Sequence, residues 1–204
     1  MSTVYGLHVN SPFDTRAITP VIIIVNEAQE KIIDRAEIAG MLIVRVQKNA
    51  KVFYNENIKR GGVYHTYIVL EGSGSSAKII SKISMDKDET CDIVHAVSHM
   101  ASDSKSEIVT KGIVEDSSSI VYQSDIMAEK KLENITGSQA AKFLELSKFA
   151  KVSAIPKLSI HTSSVSCSHS LAITNIRGED IEYLTTRGLT ESESRRTLTK
   201  SFLE

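Results

Sequence analysis

Ahead of its C-terminal end, the chain holds no sustained 3.6-residue periodicity. It is built instead from short apolar or alternating runs rich in β-branched residues, each introduced by small or polar ones. The runs fall at residues 21–25, 41–46, 52–54, 63–70, 78–83, 91–97, 107–113, 119–122, 143–146 and 158–160. From Ala77 onward several run starts (Ala77, Cys91, Ser106, Ser119) lie roughly 13 to 15 residues apart, the loose repeat expected of a solenoid. A sandwich or Greek-key barrel also uses many short strands, and periodicity alone does not separate the two. The turns, however, are mostly Ser, Ala, Asp and Lys rather than Asn-Gly or Asp-Gly hairpin pairs, which favours coils that advance by stacking.

At 204 residues, one domain is expected, with a core large enough to fold without disulfides or metal. A net charge of −1, scarce aromatics and no Trp argue against a nucleic-acid partner. Cys91 and Cys167 are too few and too far apart for a secreted disulfide framework. Residues 1–20 mix proline, polar and charged residues and do not read as an export signal. The apolar run at 21–25 is far too short to cross a bilayer. The expectation is a cytoplasmic chain without a membrane partner.

The end of the chain changes character. In V-S-C-S-H-S-L-A, strand alternation places Val165, Cys167, His169 and Leu171 on one face and four serines on the other. A thiol and an imidazole thus point the same way, the donor types that iron or zinc favours. A helix is expected over residues 179–186, with Ile181 and Leu184 inward and Gly188 as its left-handed terminator. Thr190 and Glu193 form a capping box for a second helix, whose apolar stripe includes Leu198 and Phe202. The pair would cap an open solenoid end.

Three segments carry a family resemblance. H-A-V-S-H-M-A-S-D-S-K-S-E-I-V-T-K-G-I-V-E-D-S-S-S-I-V-Y-Q, from His95, is similar to a stretch of decorated strands in the SufB/SufD family, the scaffold proteins of the SUF iron–sulfur assembly system. P-K-L-S-I-H-T-S-S-V-S-C-S-H resembles the SufD-type P-x-L-E-I-x-x-x-D-V-x-C-S-H, and E-Y-L-T-T-R-G-L resembles F-Y-L-x-S-R-G-I of the terminal helices. The resemblance implies a right-handed parallel β-helix with a short C-terminal helical cap: an N-terminal segment at 1–19, the β-helix at 20–172 and the helical pair at 173–204. It also implies a non-catalytic scaffold that pairs with a second scaffold subunit, a copy of itself or a relative, and works with an ABC-type ATPase. Members are usually longer and carry an N-terminal helical region that this sequence does not show. Ser170 stands where a glycine commonly follows Cys-Ser-His. Leu184 stands where the SufB branch usually has a cysteine, so the chain is SufD-like there.

Cys167 and His169 match family positions at the interface between the two scaffold subunits, and are the candidate ligands for a transient, shared iron–sulfur cluster. The plain alternative is a buried thiol and a structural imidazole. Two donors cannot close a tetrahedral site, so others must come from a second subunit or sulfide. Cys91, His95 and His99 also share a strand face, but the five-residue span is about 13 Å, too far for one metal; polar residues spaced along a strand are the simpler reading. Arg187, Arg195, Arg196 and Lys200 make the terminal helices basic. With Leu198 and Phe202, Arg187 and Arg195 are the expected docking residues for the ATPase, because the resemblance puts its docking on these helices. The chain itself has no Walker A or Rossmann pattern. Two rivals remain: a secreted-type β-helix carbohydrate-active enzyme, disfavoured by scattered acidic residues, and a purely structural paralogue that binds the ATPase but no cluster.

Overall fold

The computed structural model describes residues 18–36 and 39–204; most of the N-terminal segment expected at 1–19 therefore lies outside the described residues. Twelve strands precede two helices. They are β1 (Val21–Val25), β2 (Glu30–Ala36), β3 (Gly40–Val46), β4 (Lys51–Ile58), β5 (Gly62–Leu70), β6 (Ser76–Met85), β7 (Thr90–His99), β8 (Lys105–Val114), β9 (Ser119–Ala128), β10 (Ile135–Glu145), β11 (Lys151–Ile160) and β12 (Val165–Asn175), then α1 (Gly178–Thr185) and α2 (Glu191–Leu203). Odd strands form one six-stranded sheet in the order β1-β3-β5-β7-β9-β11, and even strands form the other, from β2 to β12. Every pairing is parallel, with Thr90 beside Ser119 and Ser119 beside Lys151. The chain is therefore a parallel β-helix, a solenoid whose coil is two strands, one from each sheet.

Each coil turns on residues with positive φ. Asn49, Asp103, Asp116 and Asn134 lie at φ of 53–60°, joined by Lys87 and Lys131. Asn and Asp tolerate this region because their short side chains bond locally. The corners stack on one another: Asn49 N donates to Ser73 O, Gly74 N to Ser102 O, and Asp103 N to Glu133 O. No hairpin turn is needed, which is why Asn-Gly signals are missing.

The boundaries depart from expectation in several places: β4 runs on to Ile58 and β9 to Ala128, and three further strands differ more. β2, E-K-I-I-D-R-A, was not anticipated, because charged residues interrupt its apolar pattern. β10 begins at Ile135 rather than Phe143; its first half, I-T-G-S-Q-A-A, is small and polar because it packs under neighbouring coils. β11 begins at Lys151 despite Pro156. Proline lacks a donor, and β11 tolerates it because among the described residues it pairs only with β9, at the sheet edge.

Side chains facing inward form two apolar clusters. One gathers Val44, Val46, Leu70, Ile79, Val97 and Ile126; the other gathers Ile58, Ile83, Ile93, Ile120, Tyr122 and Phe143. Part of the outer face of the odd sheet is apolar too: Met41, Ile43, Tyr67, Val94 and Ala96 are buried there, with Ile18 packed against them. α1 packs on α2, and α2 leans on β8 rather than spreading across β12. Gly188, at φ 94°, ends the first helical segment, and the Thr190–Glu193 capping box opens the second. Ile181, Leu184, Leu198 and Phe202 are half-buried.

Candidate functional site

The strand β12 pairs only with β10 among the described residues, so its other edge is open. Cys167 lies beside Gly137 and His169 beside Gln139. The inward face of β10 thus sets the inward face of β12: Cys167, His169, Leu171 and Ile173. This coil ends the solenoid, so Leu171 and Ile173 remain 37% and 41% exposed and His169 is exposed. Cys167 is half-buried against the cluster that includes Leu158 and Ile160. A glycine at 137 is required there: a Cβ at that position would stand 2.9 Å from Cys167 Sγ and 3.0 Å from Ile126. Burial raises the thiol pKa of Cys167, only partly offset by a hydrogen bond with the Gly137 backbone. The group therefore sits as a thiol and becomes a good ligand only when a metal displaces its proton.

The two expected donors thus share one accessible face. Among the described residues, no group of three or more His, Cys, Asp or Glu side chains stands close enough to hold a metal. The donor types fit iron, but the number of donors does not close a site within one chain.

The interior holds a second polar feature, which sequence reasoning saw only in part. Cys91, Ile93, His95, Val97 and His99 do face inward together. His95, however, is not an isolated polar residue. Its Nε2 lies 2.6 Å from Glu56 Oε1, and both side chains are 0% exposed. Ser81 Oγ donates to the same oxygen at 2.6 Å, and Tyr54 OH donates to Glu56 Oε2 at 2.6 Å. Thr66 donates to Tyr54 OH, and Arg35 donates to Thr66 at 3.3 Å and to Gly40 O at 2.8 Å. On the other side, Thr110 contacts His95 Nδ1 at 3.3 Å and Tyr122 OH at 3.0 Å.

Register explains this seam. Arg35, Glu56, Ser81 and Thr110 stack in one column of the even sheet, and Thr66, His95 and Ser124 stack in the odd sheet opposite. Burial alone would push the Glu56 carboxyl up. The neighbouring His95 and the hydrogen bonds from His95, Ser81 and Tyr54 outweigh it and hold the pKa below the usual carboxylate value. Tyr54 is pushed the other way, by burial first and then by the Glu56 charge. The even column continues into Ala141 and Leu171, and the odd column into Pro156. The seam therefore stops short of β12 and leaves Cys167 and His169 outside it.

The seam's legible signal was Glu56 itself. In V-F-Y-N-E-N-I it falls on the face of Val52, Tyr54 and Ile58, where a carboxylate has no place without partners. His99 is separate: Nδ1 lies 2.7 Å from Ser104 Oγ and Nε2 2.9 Å from Ser106 Oγ, and burial lowers its pKa to about 4. Cys91 is buried, and burial foremost raises its thiol pKa. A further pair escaped notice: His65 Nε2 lies 3.1 Å from Asp92 Oδ2, both 0% exposed, on the outer face of the odd sheet.

The helical residues are placed as follows. Arg187 is exposed and stacks over the Tyr183 ring at 5.3 Å. Arg195 pairs with Glu191 at 3.1 Å and, with Arg196, Leu146 and Ile176, lines a cleft between α2 and the strand ends. No described helix is long and apolar enough to cross a membrane.

A parallel β-helix with a Cys-x-His strand at its open end and a helical pair behind it defines a class of helix-capped β-solenoids. Residues 39–202, from just before β3 to the end of α2, match the family described as SUF system FeS cluster assembly, SufBD core domain, and the chain belongs to that family. It is 27% identical to the iron–sulfur cluster assembly protein SufD of Escherichia coli K12 over 157 residues, which cover 76% of this chain and 37% of that protein. A SufBD family protein of Methanothermobacter thermautotrophicus is 27% identical over 64% of this chain and 32% of its own length. One from Staphylococcus saprophyticus is 24% identical over 67% and 29%. The chain thus matches only about a third of the length of these relatives.

Proposed function

We propose that this chain is a scaffold component of SUF iron–sulfur cluster assembly, acting in the cytoplasm with an ABC-type ATPase. The observation that supports the reading most is the Cys167–His169 pair on the exposed inner face of a terminal strand whose outer edge is unpaired among the described residues. An open edge of this kind pairs readily with a second strand. A two-fold dimer, with another copy or a related scaffold, brings two thiols and two imidazoles to one axis, enough donors for a small cluster as cargo. The chain supplies ligands and a rigid frame. The ATPase docks on the terminal helices through Arg187, Arg195, Leu198 and Phe202, and its movement rearranges the interface.

Anaerobic co-purification with the ATPase tests this, with iron, sulfide and bound subunits measured together. Cys167→Ser and His169→Ala should each lower iron retention while leaving the circular dichroism spectrum and ATPase binding unchanged. Wild-type iron content in both variants would remove β12 from the chemistry.

A further inference from the structure

On the outer face of the even sheet, Lys82 of β6, Lys111 of β8 and Lys142 of β10 are direct neighbours in register. Adjacent strands are about 4.8 Å apart, so three like charges stand in one column. Like charges opposed across strands destabilise a sheet. Elsewhere on this face Lys78 pairs with Glu107 at 2.8 Å, and Asp34 accepts from Asn55 at 2.9 Å. The three lysines have no acidic or hydrogen-bonding partner among the described residues. Asn57 and Ala172 flank them in the column, so no acid follows at either side.

The neighbouring columns are mostly apolar beside the lysines, with Ser84 as the exception on β6. Ile80, Val109 and Ala140 lie in register on one side, half-buried, and Ile113 and Leu144 on the other, buried. Asp34, Asn55, Asn57, Ile80 and Lys82 are among the residues that line a shallow pocket at one end of the column.

We infer that this column is a docking surface for an amphipathic acidic helix of a partner protein, lying along the solenoid axis. The spacing selects a helix. The three lysines span two strand steps, about 10 Å. Carboxylates at positions i, i+3 or i+4, and i+7 of a helix span about 10.5 Å on one face. Same-face side chains of an extended peptide are about 6.7 Å apart and fall out of step after the first pair. Apolar residues beside the carboxylates would cover Ile80 and Val109, contacts that a nucleic-acid phosphate chain does not offer. The surface is independent of Cys167 and His169, so it stands whether or not the strand β12 binds iron.

The test uses the full chain and a fluorescein-labelled helical peptide of about 18 residues, with Glu at i, i+4 and i+7 and Leu beside them. Binding is followed by fluorescence anisotropy at low salt. Replacing Lys82, Lys111 and Lys142 together with glutamine should weaken binding by at least about tenfold, the sum expected of three exposed ion pairs. Lys51→Gln with Lys105→Gln, in a different column, should leave it unchanged. Circular dichroism should show both variants folded. Equal binding by the triple variant, or by a peptide of the same composition in scrambled order, would overturn the proposal. So would an RNA oligonucleotide binding as tightly with the same lysine dependence, or a change in self-association of the triple variant, which would make the occupant a second copy.

Discussion

His99 should set a large part of the acid sensitivity of this fold. Its ring is 0% exposed, and both nitrogens are held by serine hydroxyls, Ser104 and Ser106, with no carboxylate on either. Burial therefore lowers its pKa from 6.5 to about 4, and the folded protein keeps it neutral at physiological pH. The unfolded chain titrates near 6.5. Between these values the unfolded state takes up a proton that the folded state refuses, so stability falls as pH falls through 6.5 and levels off near 4. At about 1.36 kcal/mol per pKa unit the full loss is about 3 kcal/mol, with about 2.5 kcal/mol already gone at pH 4.5. The perturbation is His99→Gln, which retains hydrogen-bonding groups but does not titrate. Urea unfolding at pH 7.5 should show the variant less stable by about 1–2 kcal/mol, from imperfect bonds to Ser104 and Ser106. At pH 4.5 the order should close or invert, because only the wild type has lost the histidine contribution. Carboxylates such as Glu56 titrate in both proteins and cancel in the difference. A gap that stays the same at the two pH values would refute the reasoning, since it would mean that His99 titrates alike in the folded and unfolded chains.

Two further outcomes follow from the interior. Glu56→Ala leaves the buried His95, Ser81 and Tyr54 groups without their acceptor and should cost about 3–5 kcal/mol in urea unfolding, whereas Glu56→Leu combined with His95→Leu should cost less than the sum of the single changes. Gly112→Ala would set a methyl group 2.5 Å from Phe143 Cδ1, a buried ring with little room to move, and should lower stability by about 1–3 kcal/mol in the same assay.

The solenoid was legible because its repeat survives in the strand starts: β6, β7, β8 and β9 begin at Ser76, Thr90, Lys105 and Ser119. The shared face of Cys167 and His169 followed from alternation alone. β2 and the first half of β10 did not, because propensity reads single strands and cannot see that pairing with a neighbouring coil holds a charged or small-residue segment as a strand. The seam was hidden for a related reason. His95 and Glu56 lie far apart in sequence on opposite sheets, and only the coil register, with Glu56 beside Ser81 and Thr66 beside His95, brings them face to face across the core. The Lys82–Lys111–Lys142 column is of the same kind: each lysine alone looks like solvated surface, and the coil length makes them neighbours.

These placements divide the polar chemistry of the chain in two. Inside, Glu56, His95, Ser81, Tyr54 and Thr110 satisfy one another in a buried seam, which suits a role in fixing the stacking register of the coils. At the end, Cys167 and His169 are the reverse: accessible, too few, and on a strand whose edge is unmatched. Two donors of a fitting type hold a metal only with further donors from elsewhere. On the proposed reading this incompleteness is the working feature, since a cluster bound across two subunits is released when they part, and a single chain holding all its ligands would keep it. On the same reading the half-buried Cys167 adds to this effect: burial raises its thiol pKa, so a sulfur bound as thiolate would regain its proton readily once the partner's donors withdraw.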